Sequence, residues 1–260
     1  MSKIIAICNQ KGGVGKTTTT FNLGAALALN QDKKVLLIDL DPQANLSEYL
    51  GFAFDDKPTM TDLIIKVATK SVISADGVNG CIRFNESNKL YYIPSDINLA
   101  NADVYMSNAL SRETILKRIL SQDVIKNFDY ILIDCLPSLG VLLINAMSAA
   151  DKIIIPVQTQ KFSMDGLQAL TELLSQIQST INPQLELMGI LPTMVDNTTV
   201  SKNALKTLFE RYDSKVFKTV IHKSVEAAKS SESGNALCRT KNRLGEEYVA
   251  LADELIIGKT

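Results

Sequence analysis

The chain has 260 residues, 46% of them apolar and 21% charged, with a formal net charge of −1. That balance suits an ordinary globular protein with a well-buried core and excludes a uniformly basic nucleic-acid coat. Tryptophan is absent and aromatics are few, which argues against an aromatic base-stacking platform. Cys8, Cys81, Cys135 and Cys238 form no CxxC pair, so free thiols are expected rather than a metal or disulfide framework. The apolar run Ile4 to Cys8 is too short for a signal peptide, and no stretch reaches the roughly 18 apolar residues of a membrane span.

Taken in order, short apolar runs alternate with helical patterns. Lys3–Cys8 reads as a buried strand, followed by a glycine-rich loop and a helix from about Thr17 to Leu29. Lys34–Asp39 is the next strand. Asp55 to Asn88 is less regular, and reads as a helix over Met60–Thr69 with a long surface excursion. Further strands are expected at Lys89–Ile93, Tyr130–Asp134, Lys152–Val157, Leu187–Leu191 and Val216–Ile221. Helices are expected at Arg112–Ile125, Leu139–Ala149, Gly166–Thr180, Ser201–Tyr212 and Gly245–Ile257. Continuous Ile/Leu/Val strands between helices predict an α/β fold, a doubly wound and mostly parallel sheet with helices on both faces. No linker interrupts residues 1–260, so one domain is expected. Ligands of such sheets sit at the carboxyl ends of the strands.

The loop between the first strand and helix is Lys11-Gly12-Gly13-Val14-Gly15-Lys16-Thr17-Thr18. Its glycines let backbone N–H groups turn toward phosphate oxygens, and the helix N-terminus adds a positive dipole end. Lys16 can reach the β- and γ-phosphates, and the Thr17 hydroxyl can ligate Mg²⁺. A dinucleotide fingerprint fits poorly, because Lys16 and Thr17 stand where that motif needs close helix–strand packing. The loop departs from the usual phosphate-loop spacing: Asn9 or Gln10 occupies the place of the first glycine, and Lys11 opens the segment. By itself Lys11 reads as a solvated side chain.

Two acidic strand ends complete the constellation. Asp39 and Asp41 alternate onto one face before Pro42, where they could hold metal-bound or attacking water; an Asp-Pro turn is the competing reading. Tyr130–Asp134 ends in the acid expected of the second metal-side element of a phosphate-loop nucleotidase. Cys135 reads as a small buried residue. His222 is the only histidine, which argues against zinc chemistry and for a surface or rim position.

Together Lys11–Thr18, Asp39–Gln43 with Asn45, Tyr130–Leu139, Ile155–Gln158, Ile190–Asp196 and Val216–Ile221 resemble the ParA family of partition ATPases. That family belongs to the deviant Walker-type group that also holds MinD and nitrogenase iron protein. The resemblance implies ATP and Mg²⁺ as cofactors. Lys11 would reach across a nucleotide-sandwich homodimer to the partner's phosphates, and Lys16 would bind phosphates in its own subunit. Thr17, Asp39 and Asp134 would lie at the metal, and Asp41 would position the attacking water. Gly12, Gly13, Val14, Gly15, Thr18 and Met194 would complete the nucleotide site. Hydrolysis would be weak and stimulated by a ParB-like adaptor, in a cytoplasmic, nucleoid-associated protein. Leu136 stands where the family usually has a proline, and Glu226 where it often has a basic DNA-contacting residue.

Between Thr199 and Arg243 there are ten Lys or Arg residues against four acids. Such a bias suits sequence-independent phosphate binding, with a solvated helical face as the plain alternative. In a ParA-like protein it points to DNA, with Lys202, Lys206, Arg211, Lys223, Lys229, Arg239, Lys241 and Arg243 as candidates. A membrane-cycling role like that of MinD would need a basic amphipathic tail helix, whereas Gly245–Thr260 carries Glu246, Glu247, Asp253 and Glu254. Positioning of a protein cargo by the same ATPase is the remaining alternative. An electron-transfer role would need a second cysteine in fitting loop context, which the sequence does not supply.

Overall fold

The computed structural model describes residues 2–70, 72–161 and 164–257. Among the described residues, seven strands form one sheet in the order β3-β4-β2-β5-β1-β6-β7. They are β1 (Lys3–Ile7), β2 (Val35–Leu40), β3 (Arg83–Asn85), β4 (Leu90–Ile93), β5 (Tyr130–Cys135), β6 (Lys152–Gln158) and β7 (Glu186–Thr193). All neighbouring pairs are parallel except β3 with β4. The helices are α1 (Lys16–Asn30), α2 (Asn45–Tyr49), α3 (Met60–Lys70), α4 (Ala75–Asn79), α5 (Ala102–Met106) and α6 (Ile115–Leu120). They continue as α7 (Val141–Ala149), α8 (Met164–Thr180), α9 (Thr199–Tyr212), α10 (Glu226–Ser233) and α11 (Arg243–Ile257).

Strand alternation divides the core into two layers. Val35, Leu37, Tyr130 and Leu132 pack with Phe21, Leu27, Tyr248 and Leu251 of α1 and α11. Leu36, Ile38, Ile131 and Ile133 pack on the other face with residues of α3, α6 and α7. Each fully buried Leu or Ile contributes about 1.5–3 kcal/mol of transfer free energy. The same alternation puts Asp39 and Asp134 on the α1 face, and the two are register partners across β2 and β5.

Two expected elements differ. Arg112–Ile125 is not one helix but a 3₁₀ turn (Arg112–Thr114), α6 and a second 3₁₀ turn (Asp123–Asn127). Asn145 of α7 causes the first break. Its Oδ1 accepts from the Leu116 N–H at 3.0 Å and its Nδ2 donates to the Arg112 carbonyl at 2.8 Å, replacing the i→i−4 bond those two groups would share in a helix. Val216–Ile221 is not a ladder strand. It runs beside β7 and the residues that follow it, through isolated bridges, Ile190 with Val216 and Val195 with His222, and through the Phe217 and Ile221 N–H groups, which donate to the Ile190 and Pro192 carbonyls at 2.9 Å. Glu254 of α11 takes the Lys218 and Thr219 N–H groups at 2.8 and 2.9 Å, so a side chain replaces the sheet as their acceptor. The antiparallel edge strand β3 and helix α10 have no counterpart among the expected elements.

Candidate active site

The carboxyl ends of β1, β2, β5 and β7 converge on the phosphate loop. Gly13 and Gly15 adopt φ of +69° and +88°, left-handed values that a side chain would strain. A Cβ built at either, or at Gly12, meets nothing of the described residues within 4 Å. The loop is therefore an open cradle, with Gly15 at the N-terminus of α1. Thr193, the last residue of β7, donates its hydroxyl to the Val14 carbonyl at 2.9 Å. Asn9 is buried, donates to the Pro156 carbonyl at 2.8 Å and accepts from the Lys11 N–H at 3.0 Å. Both ends of the loop are thus tied to the sheet.

The loop treats its two lysines differently. Lys16 is buried, and its ammonium donates to the Lys11 carbonyl at 3.1 Å. Burial lowers its pKa, partly countered by Asp134. Lys11 is half-buried and stands next to Gly12 and Gly13, which are exposed.

The acids at the strand ends are not equivalent. Asp134 is fully buried, and its pKa is pushed up to about 8, first by desolvation and then by Asp39. The Thr20 hydroxyl donates to it from 3.3 Å, and the nearby Thr17 hydroxyl partly counters the rise. Asp39 is pushed up to about 6, chiefly by burial. Its Oδ2 accepts from the Ser47 N–H at 2.9 Å and hydroxyl at 2.7 Å, and its Oδ1 from the Asp41 N–H at 3.1 Å. Asp39 therefore holds the turn that presents Asp41, whose own side chain is half-buried and accepts from the Gln43 N–H at 2.9 Å. Met194 lies just beyond β7 with φ of +51°.

This arrangement fits a magnesium–triphosphate. An open glycine cradle at a helix N-terminus suits phosphate oxygens, and the two crowded buried carboxyls beside Thr17 are groups whose ionised forms a cation would favour. Asn9, Thr20, Ser47 and Thr193 were not identified from the sequence. Thr20 had a signal, since it lies one helical turn after Lys16. Ser47 and Thr193 had none, because tertiary packing alone brings them in.

A family model described as an AAA domain (AAA_31) matches residues 2–187. The chain is 39% identical over 259 residues to the sporulation initiation inhibitor protein Soj of Bacillus subtilis, covering 98% of each chain. It is 38% identical over 260 residues to the chromosome-partitioning ATPase Soj of Treponema pallidum, covering 96% of this chain and 98% of that one. The chain belongs to the Soj/ParA family of partition ATPases. A crystal structure described as Mycobacterium smegmatis cobyrinic acid a,c-diamide synthase with bound ATP analogue and magnesium superposes with a TM-score of 0.84 at 33% identity. That match covers 98% of this chain and 94% of the other. This ParA-family protein is an ATP-hydrolysing enzyme with ATP and Mg²⁺ as cofactors.

The candidate DNA residues fall into two groups. Lys206 lies 3.7 Å from Glu210, Lys229 2.7 Å from Glu226 and Arg243 2.9 Å from Glu247. Arg243 also meets His222 Nε2 at 2.8 Å, and Arg239 bonds the Ser87 carbonyl. Lys202, Arg211, Lys223 and Lys241 are exposed, and among the described residues no carboxylate lies within ion-pair distance of them. No described helix is long and apolar enough to cross a membrane. The tail helix α11 buries Leu244, Tyr248, Leu251 and Leu255 against the core.

Proposed function

We propose that this protein is an ATP-gated dimer that carries DNA without sequence preference and is discharged by an adaptor. The carrying observation is the division of labour in the phosphate loop, with Lys16 buried inward and Lys11 half-buried beside the exposed Gly12 and Gly13. Two triphosphates facing each other would concentrate negative charge at one interface. A lysine contributed from each partner offsets that charge and makes dimerisation depend on the γ-phosphate. Lys16 would bind the β- and γ-phosphates of its own subunit, and Thr17 and Asp134 would hold Mg²⁺. The ion, when bound, neutralises charge on the phosphate oxygens. Asp41 orients the attacking water, with Asp39 and Ser47 fixing the turn on which it sits. Gly12, Gly13, Val14, Gly15, Thr18 and Met194 surround the nucleotide. The exposed bases of α9 and of residues 223–241 supply phosphate contacts to DNA. By relation to the partition ATPases named above, the cargo is chromosomal or plasmid DNA, and the adaptor is ParB-like.

DNA binding with ADP, ATP and a non-hydrolysable analogue across a salt series tests this reading. Asp41→Ala should hold DNA persistently with ATP at low salt and release it as salt rises. An Asp41→Ala protein that ignores DNA in the presence of ATP would sink the DNA-carrier reading.

A further inference from the structure

Away from the phosphate loop, the chain after β2 and the turn after β4 enclose a cavity of about 660 Å³ with Phe52, Phe54, Pro58, Ile65, Ile97 and Tyr105 among its walls. Phe54 is 82% exposed and Ile97 67%. Large apolar groups left in water beside a concavity mark contact surfaces. The rim carries Asp56, Asp62 and Asp96 against the single base Lys57, and among the described residues none of the three acids is ion-paired. Thr61 lines the same cavity, is only 3% exposed, and among the described residues its hydroxyl has no hydrogen-bond partner. A buried hydroxyl left unsatisfied destabilises the fold, a loss that an incoming polar group would recover.

The cavity wall is braced. Arg83 of β3 is buried and forks onto Asp55 at 2.7 and 3.2 Å. It also donates to the Pro58, Cys81 and Lys57 carbonyls at 2.6, 2.7 and 3.0 Å, and stacks on Phe52. Its hydrogen bonds hold the Asp55 carboxyl below the usual carboxylate range. Thr59 donates its N–H to Asp62 at 2.8 Å and its hydroxyl to Asp96, which fixes both rim acids. Asp96 adjoins Ser95, whose N–H donates to Ser47 Oγ, and Ser47 in turn holds Asp39.

We infer that this cavity docks a basic, partly apolar segment of a partner protein, inserting a Lys or Arg side chain between Phe54 and Ile97. The aliphatic stem covers the apolar walls. The cationic head makes charge-assisted bonds to Asp62 and Asp96, and the Thr61 hydroxyl accepts a further N–H. The uncompensated acids repel DNA and anionic lipid, so a basic polypeptide is the complementary partner. The inference uses no residue of the nucleotide site and no basic residue assigned to DNA.

The test uses full-length protein without DNA or nucleotide. Three fluorescent peptides of equal length and leucine content, bearing arginine, citrulline or glutamate at the same places, are titrated and followed by anisotropy. The arginine peptide should bind at least about tenfold more tightly than the other two. Phe54→Ser and Asp96→Asn should each weaken it about tenfold. Phe54→Ser alters an exposed side chain, and its unchanged basal ATP hydrolysis and circular dichroism would show an intact fold. Absence of saturable binding by the arginine peptide, equal binding of the citrulline peptide, or undiminished binding to Phe54→Ser would each overturn the inference. Self-association abolished by Phe54→Ser, without peptide binding, would overturn it in favour of a second copy of this chain. Any of these failures leaves the DNA-carrier reading standing.

Discussion

Asp134 carries the largest electrostatic cost in the active site. Its folded pKa of about 8 stands far above an ordinary carboxylate's value of about 4. The folded protein therefore binds more protons than the unfolded chain between those values, and its stability without nucleotide falls as pH rises through that window. Asp134→Asn should flatten the pH dependence and stabilise the nucleotide-free protein by about 1–3 kcal/mol at neutral pH. It should also slow Mg²⁺-dependent hydrolysis by about a hundredfold or more. Thermal melts from pH 5 to 9 and phosphate-release assays check the two halves separately. Lys11 makes the opposite test, because its proposed role lies outside its own subunit. Lys11→Ala should remove ATP-dependent dimerisation in analytical ultracentrifugation while nucleotide affinity of the monomer changes less than about threefold.

At the scale of elements, single polar side chains set boundaries that periodicity does not predict. Asn145 replaces the bond that would have joined Arg112 to Leu116 in one helix. Asn145→Ala should cost about 2–3 kcal/mol by denaturant unfolding, since two backbone groups lose their partner. Glu254 does the same for residues 218 and 219. The acids of α11 read as signs of a tail that does not bind membrane, and two of them prove structural: Glu254 holds this segment, and Glu247 accepts from the His222 N–H at 2.8 Å. Strand β3 escaped prediction because three residues carry too little pattern for a period-2 signal. Its Arg83 nevertheless braces the loop that shapes the acidic cavity.

Across the whole molecule, function is distributed over separate surfaces. The carboxyl ends of the central strands hold the candidate nucleotide site, while the basic residues proposed to bind DNA lie in the chain after β7. Combined Lys202→Ala, Arg211→Ala and Lys223→Ala should weaken DNA binding by about tenfold or more at low salt. Each lost phosphate contact should reduce the slope of log affinity against log salt by about 0.9. ATP binding should be unchanged, as isothermal titration can show. The glycine cradle and the buried acid at the end of β5 were legible in the sequence because local patterns carry them. Glycines impose the loop's backbone conformation, a buried strand delivers Asp134 at its end, and adjacent positions supply Lys16 and Thr17. The parallel sheet followed from the same continuous apolar runs. What only the tertiary structure decided is which side chains from distant segments complete the site. Ser47 on Asp39, Thr193 on the Val14 carbonyl and the unpartnered Thr61 in its acidic cavity depend on elements brought together by packing. No local sequence period encodes such contacts, because they arise from the sheet's strand order and not from spacing along the chain.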